Sequence, residues 1–387
     1  MDFQAKQKKV KIIYKQYKTA LNKLKFPDSW FWARYTINPY SGCYHSCIYC
    51  DARSQKYYLE QDFEREIIVK INIDKILEKR IKNSRSLMVD VVGPGGVNDA
   101  YQPIEEEIEN TIKILKILDK YNFPVNIATK SSLIVRDADL LQDIAKKSWC
   151  AVGFSITTVN DELARFLEPF SSTPLERFSA IKELKKMAPN VRVGTYFMPI
   201  IPFLEDDDEN LESVIRESKK SGADFILFSP GLTLRDYQSE FFLKKLRLNR
   251  YEKIAKDILN LFKGRTYPPF EYTRQINLKL LNYCKKFGIK FRLKRWVPRD
   301  FRRWNYKVAE YLLNRYYLDS IVNDKPNKNL LWAGLNLNNL DKSIIEVYKH
   351  GELMKLKNFD QTIIELVEKY LEKNKNRITD GSLDKFL

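Results

Sequence analysis

The sequence of 387 residues contains few cysteines, only two histidines and no long apolar run. No stretch reaches the roughly eighteen apolar residues that a membrane-spanning helix requires, so no membrane association is predicted. The N-terminal stretch is basic but lacks the continuous apolar core of a signal peptide, so export is not expected. Five cysteines in so long a chain suit a reducing compartment, and we predict a cytoplasmic protein.

Positive charge exceeds negative charge by a wide margin, with a formal net charge of +17. This is more than solubility requires, so an anionic partner is predicted, with nucleic acid as the first candidate. The alternative is that the charge serves only solubility, as in lysine-rich proteins from hot habitats. Charge alone does not decide between the two.

Three of the five cysteines lie in one short stretch, TINPYSGCYHSCIYCDAR, at residues 36–53. Cys43, Cys47 and Cys50 have the spacing C-x3-C-x2-C, which is too tight for an ordinary disulfide framework. A zinc site would need a fourth ligand, and only His45 lies near enough in sequence to supply one. Three thiolates can instead hold three irons of a cubane cluster and leave the fourth iron open. We therefore predict a 4Fe-4S cluster, with zinc or simple packing as alternatives.

Extended runs alternate with helical patterns through the first 230 or so residues. Strands are predicted at 34–38, 87–92, 125–129, 151–157, 191–198 and 225–228, and helices near 104–120, 137–147, 174–187 and 208–221. This alternation indicates parallel βαβ units. The predicted fold is α/β, a partial (β/α)6 TIM-like barrel with a basic, mainly helical C-terminal extension. The cysteine stretch follows the first strand, at the strand end where barrel enzymes gather their catalytic residues.

Four regions are predicted along the chain. Apolar residues at helical spacing, from Val10 to Leu24, predict a basic helical leader over residues 1–30. The barrel follows at 31–235, then a basic, aromatic cap at 236–322. The Asn- and Lys-rich stretch NDKPNKN predicts a linker that opens a small, charged helical extension at 323–387.

The cysteine motif, with Tyr49 before its third cysteine, resembles that of the radical S-adenosylmethionine (radical SAM) superfamily. Further stretches resemble, in the same order, the branch related to spore photoproduct lyase. They are NPYSGCYHSCIYCDAR, NDAYQPIEEE, PVNIATKSSLIVRDADLL, SITTVNDELARFLEPFSSTPLERFSAI and GIKFRLKR. The resemblance spans about residues 34–315.

The resemblance implies two cofactors, a 4Fe-4S cluster on the three cysteines and S-adenosylmethionine on the open iron. It implies that Gly93, Gly95 and Gly96 contact the amino group of S-adenosylmethionine, and that Lys130 meets its carboxylate. Ser155 and Thr157 could bond the ribose or methionine groups, or could be inward-facing barrel residues. Tyr49 belongs to the same cofactor motif. The cluster would need an electron donor such as a flavodoxin or a ferredoxin.

Two groups of residues are predicted to contact substrate. Asp99, Tyr101 and Gln102 match the branch phrase, although Ala100 stands where a proline is usual, and the alternative is a turn before a helix. The second group lies in the run 285–304, where cations alternate with rings as in single-strand and flipped-base binding sites: Arg292, Arg295, Trp296, Arg302, Arg303 and Trp304. Arg292 and Arg295 could instead close the barrel over the cofactor.

Two departures separate the sequence from spore photoproduct lyase. That enzyme has a hydrogen-donating cysteine not far beyond its motif, whereas the only other cysteines here are Cys150 and Cys284. Asp51 also stands where the lyase has a tyrosine. We therefore predict a radical enzyme that abstracts hydrogen from a nucleic acid, with DNA ahead of RNA, but not the dimer-lyase reaction. A peptide or metabolite substrate, or a non-catalytic iron-sulfur protein that binds nucleic acid, are the alternatives.

Overall fold

The computed structural model of the chain describes residues 9–57 and 62–379. Contacts within the chain divide it into two compact units. The first unit contains the residues up to Leu24 together with Trp30–Leu293, and the second contains Lys25–Ser29 together with the chain from Lys294 onwards. No helix in the described ranges is long and apolar enough to cross a membrane.

Ten strands are present in the described residues, all of them in the first unit. They are β1 (Lys11–Lys15), β2 (Leu21–Lys23), β3 (Tyr35–Ile37), β4 (Tyr40–Ser41), β5 (Glu66–Lys70), β6 (Val92–Pro94), β7 (Val125–Thr129), β8 (Cys150–Ser155), β9 (Arg192–Ile200) and β10 (Phe225–Pro230).

The main sheet has the order β10-β9-β8-β7-β6-β3-β2, and β3 and β6–β10 are parallel to their neighbours. Only β2 runs antiparallel, against β3. The pairings Val125 with Cys150 and Phe225 with Gly194 fix the register of neighbouring strands. Every residue of β8 is buried, as expected of a parallel strand covered on both faces. The predicted partial barrel of six parallel strands is therefore confirmed.

Helices follow the parallel strands and continue into the second unit. They are α1 (Ile73–Asn83), α2 (Glu105–Ile108), α3 (Asn110–Lys120), α4 (Ala138–Lys147), α5 (Asp161–Leu167), α6 (Pro174–Met187), α7 (Asp208–Lys220), α8 (Asp236–Arg247), α9 (Glu252–Phe262), α10 (Phe270–Phe287), α11 (Arg303–Val322), α12 (Lys328–Leu337), α13 (Ile344–Lys349), α14 (Gln361–Lys373) and α15 (Lys375–Thr379). Helix α6 begins with a capping box in which Thr173 and Glu176 satisfy each other's backbone N–H groups, with Pro174 at the first helical position.

The predicted N-terminal helix is wrong over the described part of the leader, and its first eight residues lie outside the described residues. The segment Lys11–Lys15 is strand β1, which pairs in parallel with β5. This three-stranded sheet has the order β1-β5-β4. Strand β5, the partner of β1, lies 55 residues further along the chain, so the local spacing of apolar residues could not indicate that Lys11–Lys15 is a strand.

Other predicted elements are displaced or divided. The strand predicted at 87–92 begins only at Val92, and the helix predicted at 104–120 is broken by Glu109, whose φ is 57°.

The second unit is helical in its described residues. Its core contains Trp304, Leu312, Ala333, Ile363 and Val367, contributed by α11, α12 and α14. Because α11 and α12 share this core, residues 323–327 of the predicted linker form a short connection between two packed helices, and its last two residues already belong to α12. Neither predicted boundary, at 235/236 or at 322/323, coincides with the division between the two units, which falls after Leu293.

Candidate active site

The three motif cysteines meet in one cavity at the carboxyl end of the barrel strands. Cys43 and Cys47 are buried, Cys50 is half-buried, and all three thiols are free. The cavity has a volume of about 250 Å³. Residues from the carboxyl ends of three further strands also line it: Gly95 and Gly96 after β6, Lys130 after β7 and Ser155 at the end of β8. The fold thus brings together side chains that lie more than a hundred residues apart.

Arg53 holds the cysteine loop from its other side. Its Nε donates to the carbonyl oxygen of Cys47 at 3.0 Å, and its Nη2 donates to that of Ser46 at 3.2 Å. Nη2 also pairs with Glu64 at 2.7 Å, and the guanidinium lies 4.0 Å from the ring centroid of Phe241. The side chain is buried and its charge is compensated, so the loop is held by a rigid cation rather than by solvent.

Gln102 and Tyr101, both predicted to contact substrate, are fully buried and have internal partners. The Gln102 carbonyl accepts from the Tyr44 backbone N–H at 2.8 Å, which braces the cysteine loop. The Tyr101 hydroxyl donates to Asp137 at 3.0 Å. In this structure both side chains support the cavity from behind.

The glycine segment approaches the cavity with its backbone. Gly95 has a φ of +81°, and a Cβ there would lie 2.8 Å from the carbonyl oxygen of Asn98, so this position requires glycine. A Cβ at Gly96 would meet only Thr36 and Asn38, at 3.4 Å or more. Gly93 lies within β6 rather than on the cavity lining. Gly96 is exposed and lines the cavity, so its backbone is accessible to a ligand there.

Asp99 is a buried carboxylate with four polar neighbours. It accepts from the Thr129 hydroxyl at 2.8 Å, from the backbone N–H of Tyr101 at 2.9 Å and from that of Lys130 at 2.7 Å. His45 Nδ1 lies 3.4 Å from its Oδ2. Burial alone would raise the pKa of Asp99, but the charge of His45 and these hydrogen bonds lower it to about 2. Asp99 thereby links the cysteine loop to the end of β7.

Lys130 belongs to a buried network of charges. Its Nζ lies 3.8 Å from Glu168 Oε1, and Arg177 Nη2 lies 2.5 Å from Glu168 Oε2. Tyr49 donates its hydroxyl to the same carboxylate. Burial would raise the pKa of Glu168, but Arg177 and Lys130 hold it below its ordinary value. Two cations share one carboxylate here, so positive charge remains beside the cavity.

Ser155 and Thr157 occupy different positions. Ser155 lines the cavity, and its carbonyl accepts from Arg177 Nη1 at 2.6 Å. Thr157 is buried beside Glu205, outside the cavity lining. Glu205 accepts from the Ile201 N–H at 2.9 Å. Burial raises its pKa well above the ordinary value, although this hydrogen bond and the charge of Lys130 act in the opposite direction. The surroundings therefore shift the pKa values of Glu168 and Glu205 in opposite directions.

Asp51, next to the third cysteine, ties the loop to a distant part of the first unit. It accepts from the Thr233 hydroxyl at 2.6 Å, from the Tyr57 hydroxyl at 2.7 Å and from Arg235 Nη1 at 3.3 Å. The backbone carbonyl of Tyr49 also accepts from Gln238, at 3.0 Å. Asp51, which stands where the lyase has a tyrosine, is thus a structural anchor of the cysteine loop.

The basic, aromatic run is largely internal. In the first unit, the Arg292 guanidinium lies 5.6 and 5.5 Å from the ring centroids of Trp30 and Trp32. In the second unit four of the predicted nucleic-acid residues are buried: Arg295, Trp296, Arg302 and Trp304. The prediction that they present charge and rings to a nucleic acid does not agree with this burial, because their side chains are covered by the protein and Trp304 belongs to the helical core. Arg303 is half-buried and Arg292 likewise.

Sequence reasoning missed Arg53, Glu205 and Gln238. A signal existed for Arg53, because an arginine three residues after the last cysteine can reach back over the loop. No local signal existed for Gln238, which lies 189 residues from its partner Tyr49.

The sequence profile of the radical SAM superfamily matches residues 37–215, which include the whole cysteine loop. An uncharacterized protein of Methanocaldococcus jannaschii is 35% identical over 213 residues, which cover 54% of this chain and 74% of that protein. The chain belongs to the radical SAM superfamily. An uncharacterized protein of Mycobacterium tuberculosis is 27% identical to this radical SAM protein over 260 residues, which cover 66% of the chain and 75% of the relative.

A solved structure of spore photoproduct lyase, complexed with dinucleoside spore photoproduct, has a similar fold. Its TM-score is 0.54 at 19% identity, and the likeness covers 71% of this chain and 79% of that one. At this identity the likeness concerns the fold.

The cofactors of the radical SAM protein are a 4Fe-4S cluster and S-adenosylmethionine. The residues present fit both. Three free thiols line one cavity, as a cluster with one open iron requires. The same cavity is lined by the open backbone of Gly96 and by Lys130, whose side chain is 17% exposed. The amino acid group of S-adenosylmethionine has one carboxylate and one ammonium. The cavity thus offers a cation for the carboxylate and backbone polar groups for the ammonium.

Proposed function

We propose that this protein is a radical SAM enzyme that abstracts hydrogen from a nucleic acid, with DNA as the first candidate. One observation carries the proposal, namely that the three free cysteines share a single cavity with Gly95, Gly96, Lys130 and Ser155. When bound, the cluster and S-adenosylmethionine together supply a 5'-deoxyadenosyl radical. The protein supplies the position, the electrostatics and the exclusion of water.

Each lining residue has a role that follows from its chemistry. Cys43, Cys47 and Cys50 bind the cluster. The Lys130 ammonium pairs with the carboxylate of S-adenosylmethionine, and the backbone of Gly95 and Gly96 approaches its amino group. The Ser155 hydroxyl is placed to accept or donate a hydrogen bond to the ribose.

A second group of residues positions these. Glu168 and Arg177 hold Lys130, since the three charges are within ion-pair distance. Asp99 fixes the backbone of Lys130 and the ring of His45, and Tyr49 joins the cysteine loop to Glu168. Thr157 acts through Glu205 and lies outside the cavity lining.

Two observations support a nucleic-acid substrate. The similar fold of spore photoproduct lyase has been solved with a dinucleoside photoproduct, and the net charge of this chain is +17. The dimer-lyase reaction itself is not proposed. Cys150 and Cys284 are buried, neither lines the cavity, and burial raises the pKa of Cys284 to about 12.

The first test compares two cysteine variants. Anaerobically reconstituted protein with dithionite should release 5'-deoxyadenosine from S-adenosylmethionine, and Cys47→Ala should abolish both this release and the 4Fe-4S absorbance. Cys150→Ala is the matched control, a buried cysteine outside the cavity, and should retain both. If the fully reconstituted parent protein releases no 5'-deoxyadenosine, the proposed activity is contradicted, and the remaining interpretation is a non-catalytic iron-sulfur protein.

The second test concerns the substrate. Binding to single- and double-stranded DNA and to RNA should weaken steeply with salt if phosphates are engaged. Deuterated DNA should then transfer deuterium into 5'-deoxyadenosine. If the protein binds no nucleic acid even at low salt, the substrate is a peptide or a small metabolite.

A further inference from the structure

A large cleft lies beside the cysteine loop and shares one lining residue, Phe63, with the cofactor cavity. It has a volume of about 990 Å³, and a second cleft of about 460 Å³ adjoins it. The two share the lining residues Glu64, Arg65 and Lys245. Neither is lined by a motif cysteine, so this region is distinct from the cavity described above.

The clefts lie directly against the cysteine loop. The smaller cleft is lined by Ser46 and Ile48, which flank Cys47 on both sides. The larger is lined by Arg53, whose Nε donates to the Cys47 carbonyl at 3.0 Å. One buried side chain therefore connects the wall of the cleft to the peptide of a cluster ligand. Phe63 lines both the larger cleft and the cofactor cavity.

The walls of the two clefts carry more positive than negative charge. Among the residues that the structure describes, five cations line them against three carboxylates, namely Arg53, Arg65, Lys244, Lys245 and Lys9 against Asp62, Glu64 and Glu240. Glu64 is already paired with Arg53 at 2.7 Å. Arg65 and Lys244 are exposed, on opposite sides of the larger cleft, one before β5 and one in α8. Such a surface attracts an acidic protein, and the attraction weakens with salt.

We infer that these clefts form the docking surface for an acidic one-electron carrier protein of the flavodoxin or ferredoxin kind. In the step that this surface serves, one electron leaves the carrier, which is oxidised, and the cluster is reduced by that electron. No bond forms or breaks. The inference rests on the proposed function, because only a cluster that must be reduced needs such a partner. Docking here brings the carrier beside the cysteine loop while the cofactor cavity stays open to substrate.

The test reverses the charge of both walls, with Arg65→Glu and Lys244→Glu combined. A flavodoxin is the probe, and its Kd for the reconstituted protein is measured across a salt series. We expect the Kd to rise by about tenfold at low salt and its salt dependence to flatten. The ratio of the flavodoxin-supported to the dithionite-supported rate of 5'-deoxyadenosine release should fall by a similar factor.

The matched control reverses two exposed lysines of α6, with Lys182→Glu and Lys186→Glu combined. This control should leave both the Kd and the rate ratio as in the parent. An unchanged flavodoxin Kd in the cleft variant would overturn the docking surface. So would loss of DNA binding with flavodoxin binding intact, which would make the clefts a nucleic-acid surface. Failure of the parent to release 5'-deoxyadenosine with dithionite would instead contradict the proposed function, since dithionite needs no docking surface.

Discussion

Arg177 in the first unit and Arg295 in the second are both almost fully buried, at 1% and 3% exposure, but their surroundings differ. Arg177 pairs with Glu168, which also pairs with Lys130 beside a cavity. Arg295 lies 3.8 Å from the ring centroid of Tyr306 and donates to Asn338 within a helical core. A buried arginine is therefore not by itself a sign of a binding site. What distinguishes the first region is shared charge around an open volume.

The same contrast holds for Arg302, another buried arginine of the basic, aromatic run at 285–304. Arg302 pairs with Asp300 at 2.6 Å, and the Asp300 side chain is 46% exposed. The ion pair at Glu168 has no such access to water, since its carboxylate is 2% exposed. An ion pair with access to water, such as that of Arg302 with Asp300, contributes little to stability. Removing one partner of a buried ion pair, such as that at Glu168, is costly.

The largest expected effect is that of Glu168→Gln. The substitution keeps the shape but leaves the charges of Lys130 and Arg177 without their carboxylate. We expect the apoprotein to lose about 3–5 kcal/mol of unfolding free energy. Urea denaturation measures this, and a loss below about 1 kcal/mol would show that the two cations find other partners.

The second prediction concerns the pH dependence of stability through Glu205. Because burial raises its folded pKa, its contribution is greatest below the unfolded pKa of about 4.3 and declines as the pH rises towards the folded value. Glutamine does not titrate. The stability of Glu205→Gln relative to the parent should therefore increase by about 1.4 kcal/mol per pH unit above pH of about 5.

The measurement is the urea midpoint of the apoprotein between pH 5 and 8. Glu183→Gln, at an exposed position of α6, is the control and should give a curve parallel to that of the parent. A Glu205→Gln curve that also runs parallel would mean that Glu205 is ionised in the folded protein.

A smaller effect is expected for Arg295→Met in the second unit. Methionine fills much of the same volume against Tyr306, but the Asn338 side-chain oxygen loses its donor. We expect a loss of about 1–3 kcal/mol, with DNA binding unchanged because the side chain is buried. Weaker DNA binding by a variant that melts like the parent would restore Arg295 to the nucleic-acid surface.

The smallest effect is that of Asp300→Asn. Its carboxylate is half in water and pairs with an arginine two residues away, so we expect a loss of at most about 1 kcal/mol. Raising the ionic strength should remove most of this difference in stability between the variant and the parent. A loss as large as that of Glu168→Gln would erase the distinction between the two regions.

The sequence was most informative where burial and chemistry coincide locally. Strands such as β8 and β10 are largely apolar, and the cysteine loop carries its own spacing, so the alternation of strands and helices and the loop could both be predicted. Strand β1 could not, because its pairing with β5 depends on a distant edge. The roles of Trp296 and Trp304 could not either, since alternating rings and cations look alike in a binding groove and in a helical core.

Within the candidate site, the cysteines, Gly95, Gly96, Lys130 and Ser155 were predicted and line one cavity, although their roles stay a prediction. Tyr101 and Gln102 were expected to contact the substrate, but they are fully buried and do not line the cavity. A sequence motif marks which residues belong together. It does not distinguish those that face the cavity from those that support it.

The anchoring of Asp51 by Thr233 and of Tyr49 by Gln238 also sets an order of events during synthesis. These contacts join positions 182 and 189 residues apart. At about 5–20 residues per second, translation of that interval takes on the order of ten to forty seconds. During this time the three thiols exist without the segment that secures their loop. The cysteine loop therefore gains these two anchors only after the chain has been made as far as Gln238.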